Sequence, residues 1–176
     1  RTNVPESPPW RIIGAVDGTT LTFDPPMAGA PATVGLGDVA EMSTGTPFVV
    51  RSQDADHPFL LLAYMTGSAT VATDASSEGY GDPDMVRIVP PTQYLDHYIF
   101  FTDPTYPETN LVVVRRRGGS GFAPVELDCA GTIAGFAPVG SSGRFEYARI
   151  DLVRHNFQPQ GNCDNGRHAM SSDEPF

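Results

Sequence analysis

The chain has 176 residues, 40% of them hydrophobic, enough to fill the core of one domain or two small ones and to exclude a disordered chain. Eighteen glycines and seventeen prolines make one residue in five a poor helix former, which excludes helical bundles. The net charge is −10, the pI is about 4.6 and all eleven basic residues are arginine. Lysine Schiff-base chemistry and a P-loop lysine are therefore excluded, and nucleic acid is not an expected partner.

Residues 1–9 contain three prolines and read as an extended lead-in. Two β-prone runs follow, 11–16 and 19–23, joined by Asp17-Gly18. Asp-Gly between such runs is the strongest short hairpin signal, because a type I′ turn needs positive φ at both central residues. The Gly/Pro/Ala-rich stretch 25–37 reads as loop. Strands are expected at 48–50 and 59–65, each entered through a proline, Pro47 or Pro58. The run 59–65 is also the longest apolar one, far below the roughly 20 residues of a membrane-spanning helix.

A polar, acidic loop is expected over 67–84, then a strand over 85–89. Pro90-Pro91 introduces the one plausible helix, near 92–98 and two turns at most. Strands at 98–101 and 111–114 flank the loop 103–110. Gly-Phe-Ala-Pro-Val occurs at 121–125 and again at 135–139, as two arms of one hairpin or arch. Gly118–Gly121 and Gly140–Gly143 read as hairpin turns. The last clear strand runs from Phe145 to Arg154, with Ile150 and Leu152 on one face and Arg149 and Asp151 on the other. About ten short strands with regular turn signals predict an all-β fold, an antiparallel β-sandwich or a jelly-roll-like barrel, over 10–176 as a single β domain.

No catalytic signature is present: HExxH, GxSxG, a Walker loop and a dinucleotide fingerprint are all missing. The histidines, at 57, 97, 155 and 168, lack metal-ligand spacing. His57 can pair with Asp54 or Asp56, although a solvated turn is the simpler expectation. His97 reads as a packed or capping residue. Carboxylates cluster at Asp54/Asp56, at Asp82/Asp84 and in the Asp103…Glu108 loop, and such oxygen-rich loops suit calcium. Asp82 and Asp84 are the calcium candidates, with surface charge as the plainer alternative. Arg115, Arg116 and Arg117 form the one basic cluster, a candidate to grip an acidic ligand or pair with an acidic neighbour, or else a solvated strand end; strand alternation lets at most two of them share a face. Tyr106 sits in the proline-stiffened loop Pro104-Thr-Tyr-Pro107 with Asp103 and Glu108, a composition suited to recognition or to packing back on the sheet. Cys129 and Cys163 lack CxxC spacing, so they are a disulfide or two buried thiols.

Several stretches together resemble one family. They are Arg51-Ser-Gln-Asp-Ala-Asp-His-Pro-Phe59, Ala63-Tyr-Met-Thr-Gly67, the long run Pro91 to Arg115, Leu127-Asp-Cys-Ala-Gly131, Tyr147-Ala-Arg-Ile-Asp-Leu152 and His168 to Phe176. The resemblance is to the N-terminal domain of the IgGFc-binding proteins, in its bacterial secreted form. It implies an extracellular or cell-surface, non-enzymatic module for binding or adhesion, with a protein or glycan ligand and no required cofactor. It transfers no ligand-contacting residue, and it favours the Cys129–Cys163 disulfide. Similar proteins continue past Pro175-Phe176 into another apolar strand, so a longer protein is expected. The alternative reading is a structural subunit of an extracellular assembly, completed by strand exchange with neighbouring copies. A hydrolase is the least expected.

Overall fold

The computed structural model describes residues 6–67 and 84–176. Among the described residues it is all-β and antiparallel, with one 3₁₀ turn at Pro91–Gln93, and the sheets do not close into a barrel. The sandwich alternative therefore holds. The chain forms two compact units, Arg1–Ile88 and Val89–Phe176, and the division falls at Val89-Pro90-Pro91.

The first unit contains β1 (Pro9–Gly14), β2 (Thr19–Asp24), β3 (Thr33–Val34), β4 (Val39–Ser43), β5 (Val49–Ser52), β6 (Phe59–Tyr64) and β7 (Met85–Arg87). One sheet has the order β4-β1-β6-β7 and the other β3-β2-β5. Ile12, Leu21 and Val34 are buried between them. Ile12 faces Ala40 on one neighbouring strand and Leu61 on the other, and is 0% exposed.

The Asp17-Gly18 turn forms, with φ +71° at Gly18, but it does not make a hairpin. Both edges of β1 are taken, by β4 and β6, so β2 crosses to the second sheet. The crossing is held by the segment 35–38. The Gly14 amide donates to the Asp38 carbonyl, and the Asp17 carboxylate accepts the Leu36 amide at 2.9 Å. A Cβ on Gly14 would lie 2.1 Å from the Gly35 carbonyl oxygen, which is why glycine stands there. The expected loop 25–37 also contains β3, whose Val34 joins the core.

The second unit contains β8 (His97–Thr102), β9 (Thr109–Arg116), β10 (Val125–Leu127), β11 (Gly131–Thr132), β12 (Ala137–Val139), β13 (Phe145–Arg154), β14 (Gln158–Pro159) and β15 (Gly166–Ser172). One sheet has the order β11-β10-β15-β8. In the other, β13 pairs with β9 along its length, while β12 and β14 share its remaining edge. Val125, Leu127 and Met170 of the first sheet meet Val113, Ala148, Leu152 and Val153 of the second. Phe176 joins this core: its amide donates to the Leu95 carbonyl, its carbonyl accepts the Tyr98 hydroxyl, and the two rings meet edge-on at 5.0 Å.

Two further expectations are corrected here, and a third is narrowed to one of its alternatives. The helix near 92–98 is reduced to the Pro91–Gln93 turn, because Tyr94 is already extended (φ −66°, ψ 144°) on the way into β8. The alternation of β13 breaks at a bulge between Asp151 and Val153, so Leu152 and Val153 are both buried. The two Gly-Phe-Ala-Pro-Val arms do not pair with each other: Val125 opens β10 and Val139 closes β12, in different sheets. They form an arch.

Candidate functional site

Within the second unit, three segments meet around the start of β9. The first is the loop 103–108. Asp103 Oδ1 accepts both the Thr105 amide (2.8 Å) and the Thr105 hydroxyl (2.7 Å), a local turn that holds the Asp103 carboxyl below its ordinary range. Pro104 and Pro107 fix φ on either side of Thr105-Tyr106. Tyr106 is thereby presented on a stiff loop, 50% exposed.

The second segment is the turn between β13 and β14. His155, Asn156 and Phe157 all have left-handed backbones, with φ of 51°, 57° and 66°. Asparagine and histidine tolerate that conformation better than most residues; phenylalanine does not. Such residues cost roughly 1–3 kcal/mol each and persist only where the surroundings enforce them. Here the Phe157 amide donates to the Pro107 carbonyl at 3.0 Å, which ties the turn to the first loop. Phe157 stays 47% exposed, next to the loop that presents Tyr106.

The third segment is 163–165. The Asn165 side chain donates to the Tyr106 carbonyl (3.2 Å) and accepts the Thr109 hydroxyl (2.7 Å). Two residues earlier Cys163 is bonded to Cys129, with an S–S distance of 2.05 Å. The disulfide that the family likeness favours is therefore present, and it anchors the brace of the aromatic loops. Between these residues Asp164 offers its carbonyl to His168 Nε2 at 2.8 Å.

His168 is buried, packs on the Phe100 ring at 5.6 Å and turns Nδ1 toward Asp128 Oδ1 at 3.2 Å. Asp128 Oδ2 accepts the Ala169 amide at 2.9 Å. Burial pushes the Asp128 carboxyl up, but its bonds with His168 and the Ala169 and Cys129 amides outweigh it and leave the group below its ordinary range. His168 thus clasps the residue before one half-cystine and the residue after the other.

The basic cluster is placed elsewhere. Arg115 lies six residues along β9 from Thr109, about 20 Å at the rise of a strand, so the cluster and the Tyr106 loop are not one surface. Arg115 is also engaged internally. Its Nε and Nη2 donate to Glu146 Oε2 at 3.1 and 2.8 Å, and its Nη1 donates to the Ala123 carbonyl at 2.9 Å. Its guanidinium stacks on Phe136 at 3.7 Å and lies 5.2 Å from Phe122. Those rings are the two phenylalanines of the repeated pentapeptide, so the repeat serves as the two jaws of an arginine clamp. Arg117 shares the Phe122 ring at 5.6 Å, while Arg116 alternates to the opposite face of the strand.

The remaining candidates are dispersed. Asp82 lies outside the described residues, and Asp84 Oδ1 accepts the Met85 amide at 2.7 Å. Glu108 is exposed on the loop. His57 does pair with Asp54, Nδ1 to Oδ1 at 2.6 Å, and that bond holds the Asp54 carboxyl low. His97 opens β8 on its exposed face and is not packed. Asp54, Asp103 and Asp128 are all displaced downward, the opposite direction from a general acid.

Sequence reasoning missed His155–Phe157, Asn165 and the Asp128–His168–Asp164 clasp. The turn carries no glycine signal, and the other contacts join residues up to 59 positions apart. Among the described residues no helix is long and apolar enough to cross a membrane.

Fold and site together define an all-β, disulfide-bonded module that carries exposed aromatics on braced loops. The family model described as IgGFc binding protein matches residues 1–176, and the chain belongs to that family. No curated protein and no solved structure matches it.

Proposed function

We propose that the chain is an extracellular, non-enzymatic binding module, of the secreted kind, whose protein or glycan ligand is met by the Tyr106–Phe157 platform. The observation that carries this reading is the pair of half-exposed aromatics on adjacent loops, one stiffened by prolines and the other held in a left-handed turn by the Pro107 carbonyl. Rigid aromatics of this kind anchor interfaces at low entropic cost. This reading invokes no calcium: Asp103 Oδ1 is engaged by the Thr105 amide and hydroxyl. The family description makes the Fc region of immunoglobulin G the first ligand to test.

The test is surface plasmon resonance of the chain against immobilised Fc, alongside a glycan array. Tyr106→Ala and Phe157→Gly are each expected to weaken binding at least about tenfold, the lower range for an interface anchor. Phe157→Gly accepts the left-handed backbone without strain, and the melting temperature of the variant separates lost binding from lost fold. Binding unchanged in both variants, or none to either probe, overturns the reading.

One observation favours a second reading, self-assembly. Among the described residues β8 is an edge strand, pairing only with β15, and its outward face shows Ile99 at 62% and Phe101 at 68% exposure. Its sequence His-Tyr-Ile-Phe-Phe-Thr has neither the proline nor the lysine that guards an edge. Sedimentation velocity decides: a concentration-dependent dimer abolished by Ile99→Lys supports pairing of two copies, and a monomer at all concentrations refutes it.

A further inference from the structure

We propose that reduction of the Cys129–Cys163 disulfide turns this staple into a zinc-type metal site, with Cys129, Cys163, His168 and Asp128 as its four ligands. The ligand atoms of Asp128, Cys129 and His168 already lie within 4.8 Å of one another, and the Cys163 sulfur is bonded to that of Cys129. Two sulfurs, one imidazole and one carboxylate form the donor set of a tetrahedral zinc site, whereas calcium and magnesium take all-oxygen sets.

The oxidised protein is not such a site. Disulfide sulfurs have no thiolate to offer, which leaves a metal only Asp128 and His168. A dithiol reductant supplies two electrons and two protons. Its own sulfurs close to a disulfide while the Cys129–Cys163 bond opens to two thiols, and the metal displaces both thiol protons to solvent. At Zn–S distances near 2.3 Å in a tetrahedron, the two sulfurs stand about 3.8 Å apart. Rotation of the two cysteine side chains supplies that separation.

The histidine is set for this. The Asp164 carbonyl can only accept, so Nε2 carries a ring hydrogen, and Nδ1 faces a carboxylate oxygen of Asp128. Without metal a hydrogen joins that pair, and a metal ion held by both Nδ1 and the carboxylate takes that hydrogen's place. A metal-bound histidine whose other nitrogen donates to a carbonyl is the usual outer-shell arrangement, and Asp128 is braced in the same way by the Ala169 amide. His168 and Cys163 are buried, while Asp128 is exposed and gives the ion a way in. The consequence is that residues 163–165, which brace Tyr106, are held in the oxidised form by the disulfide and in the reduced form by the metal.

The test uses the whole chain, reduced with a phosphine under anaerobic conditions and titrated with cobalt(II). We expect one cobalt per monomer, the visible bands of tetrahedral cobalt with a thiolate charge-transfer band, displacement by zinc, and no such spectrum from the oxidised protein. Zinc should raise the melting temperature of the reduced chain and leave that of the oxidised chain unchanged. His168→Gln should weaken binding by at least the roughly 100-fold that loss of an outer-shell partner can cause. Should that variant fail to fold, the exposed Asp128→Asn should weaken cobalt at least about tenfold in a folded protein. No thiolate band, two chains per metal, or an affinity unchanged in the folded variants overturns the site.

Discussion

Among the described residues, the buried cluster of the first unit is Ile12, Leu21 and Val34, ringed by half-buried Phe23, Ala40, Val50, Phe59 and Leu61. That of the second has ten members, Cys163 of the disulfide among them. The first unit compensates with edges and backbone: Trp10 donates to the Thr44 carbonyl and packs edge-on against Phe48 at 4.9 Å, while Gly14 lets the segment 35–38 approach. The second has a core and a covalent staple able to hold an unfavourable conformation in place, and it is there that three consecutive left-handed residues present Phe157. A loop can be strained for recognition where its anchor is strong.

The comparison breaks most readily at the disulfide. Replacing Cys129 and Cys163 by serine should destabilise the second unit by roughly 3–4 kcal/mol, the chain-entropy value for a loop of this size. Trp10 is the only tryptophan and lies in the first unit, so its fluorescence reports that unit, while near-ultraviolet circular dichroism reports the tyrosines of both. In denaturant, the dichroism transition should move earlier with the tryptophan transition unmoved. A tryptophan transition that moves equally would show that the units unfold as one.

Next in size is the arginine clamp. Arg115→Ala removes three hydrogen bonds, two of them to Glu146, together with the stacking on Phe136, and should cost about 3 kcal/mol. Arg115→Lys should recover only a minor part, since lysine lacks the planar fork, and chemical denaturation of both variants measures the difference.

In the first unit, Gly14→Ala drives a methyl against the Gly35 carbonyl and should cost about 2 kcal/mol, read from the tryptophan transition. An unchanged midpoint would mean that the 35–38 segment moves away freely, and the close approach would lose its structural weight.

The smallest effect is a pH dependence. Asp128 is held below its ordinary value, so its contribution is fully present above its unfolded pKa, near 3.9, and is lost as pH falls through its lower folded value. Asp128→Asn should flatten the fall in stability of the second unit below about pH 5, measured as melting temperature against pH. A wild-type and variant curve that run parallel would detach Asp128 from acid unfolding.

Much of this molecule is readable locally. Glycine and proline content excludes helices, Asp17-Gly18 does turn, strands lie at 49–52, 59–64 and 145–154 where apolar β-prone runs stand, and Gly118–Gly121 closes a turn through its own backbone bonds. These features depend on φ preferences and on side-chain alternation, which a short window of sequence contains. Partner choice does not. Whether β1 takes β2 or takes β4 and β6 depends on which edges other strands occupy, and the bulge in β13 appears only once β9 lies alongside it. Arg115 between two distant phenylalanines, His168 clasping both sides of a disulfide, and the Phe157 amide on the Pro107 carbonyl are likewise contacts across long loops. The energy of such contacts comes from burial and geometry that exist only after the chain has folded, so the strands were determined by the sequence and the site by the tertiary structure.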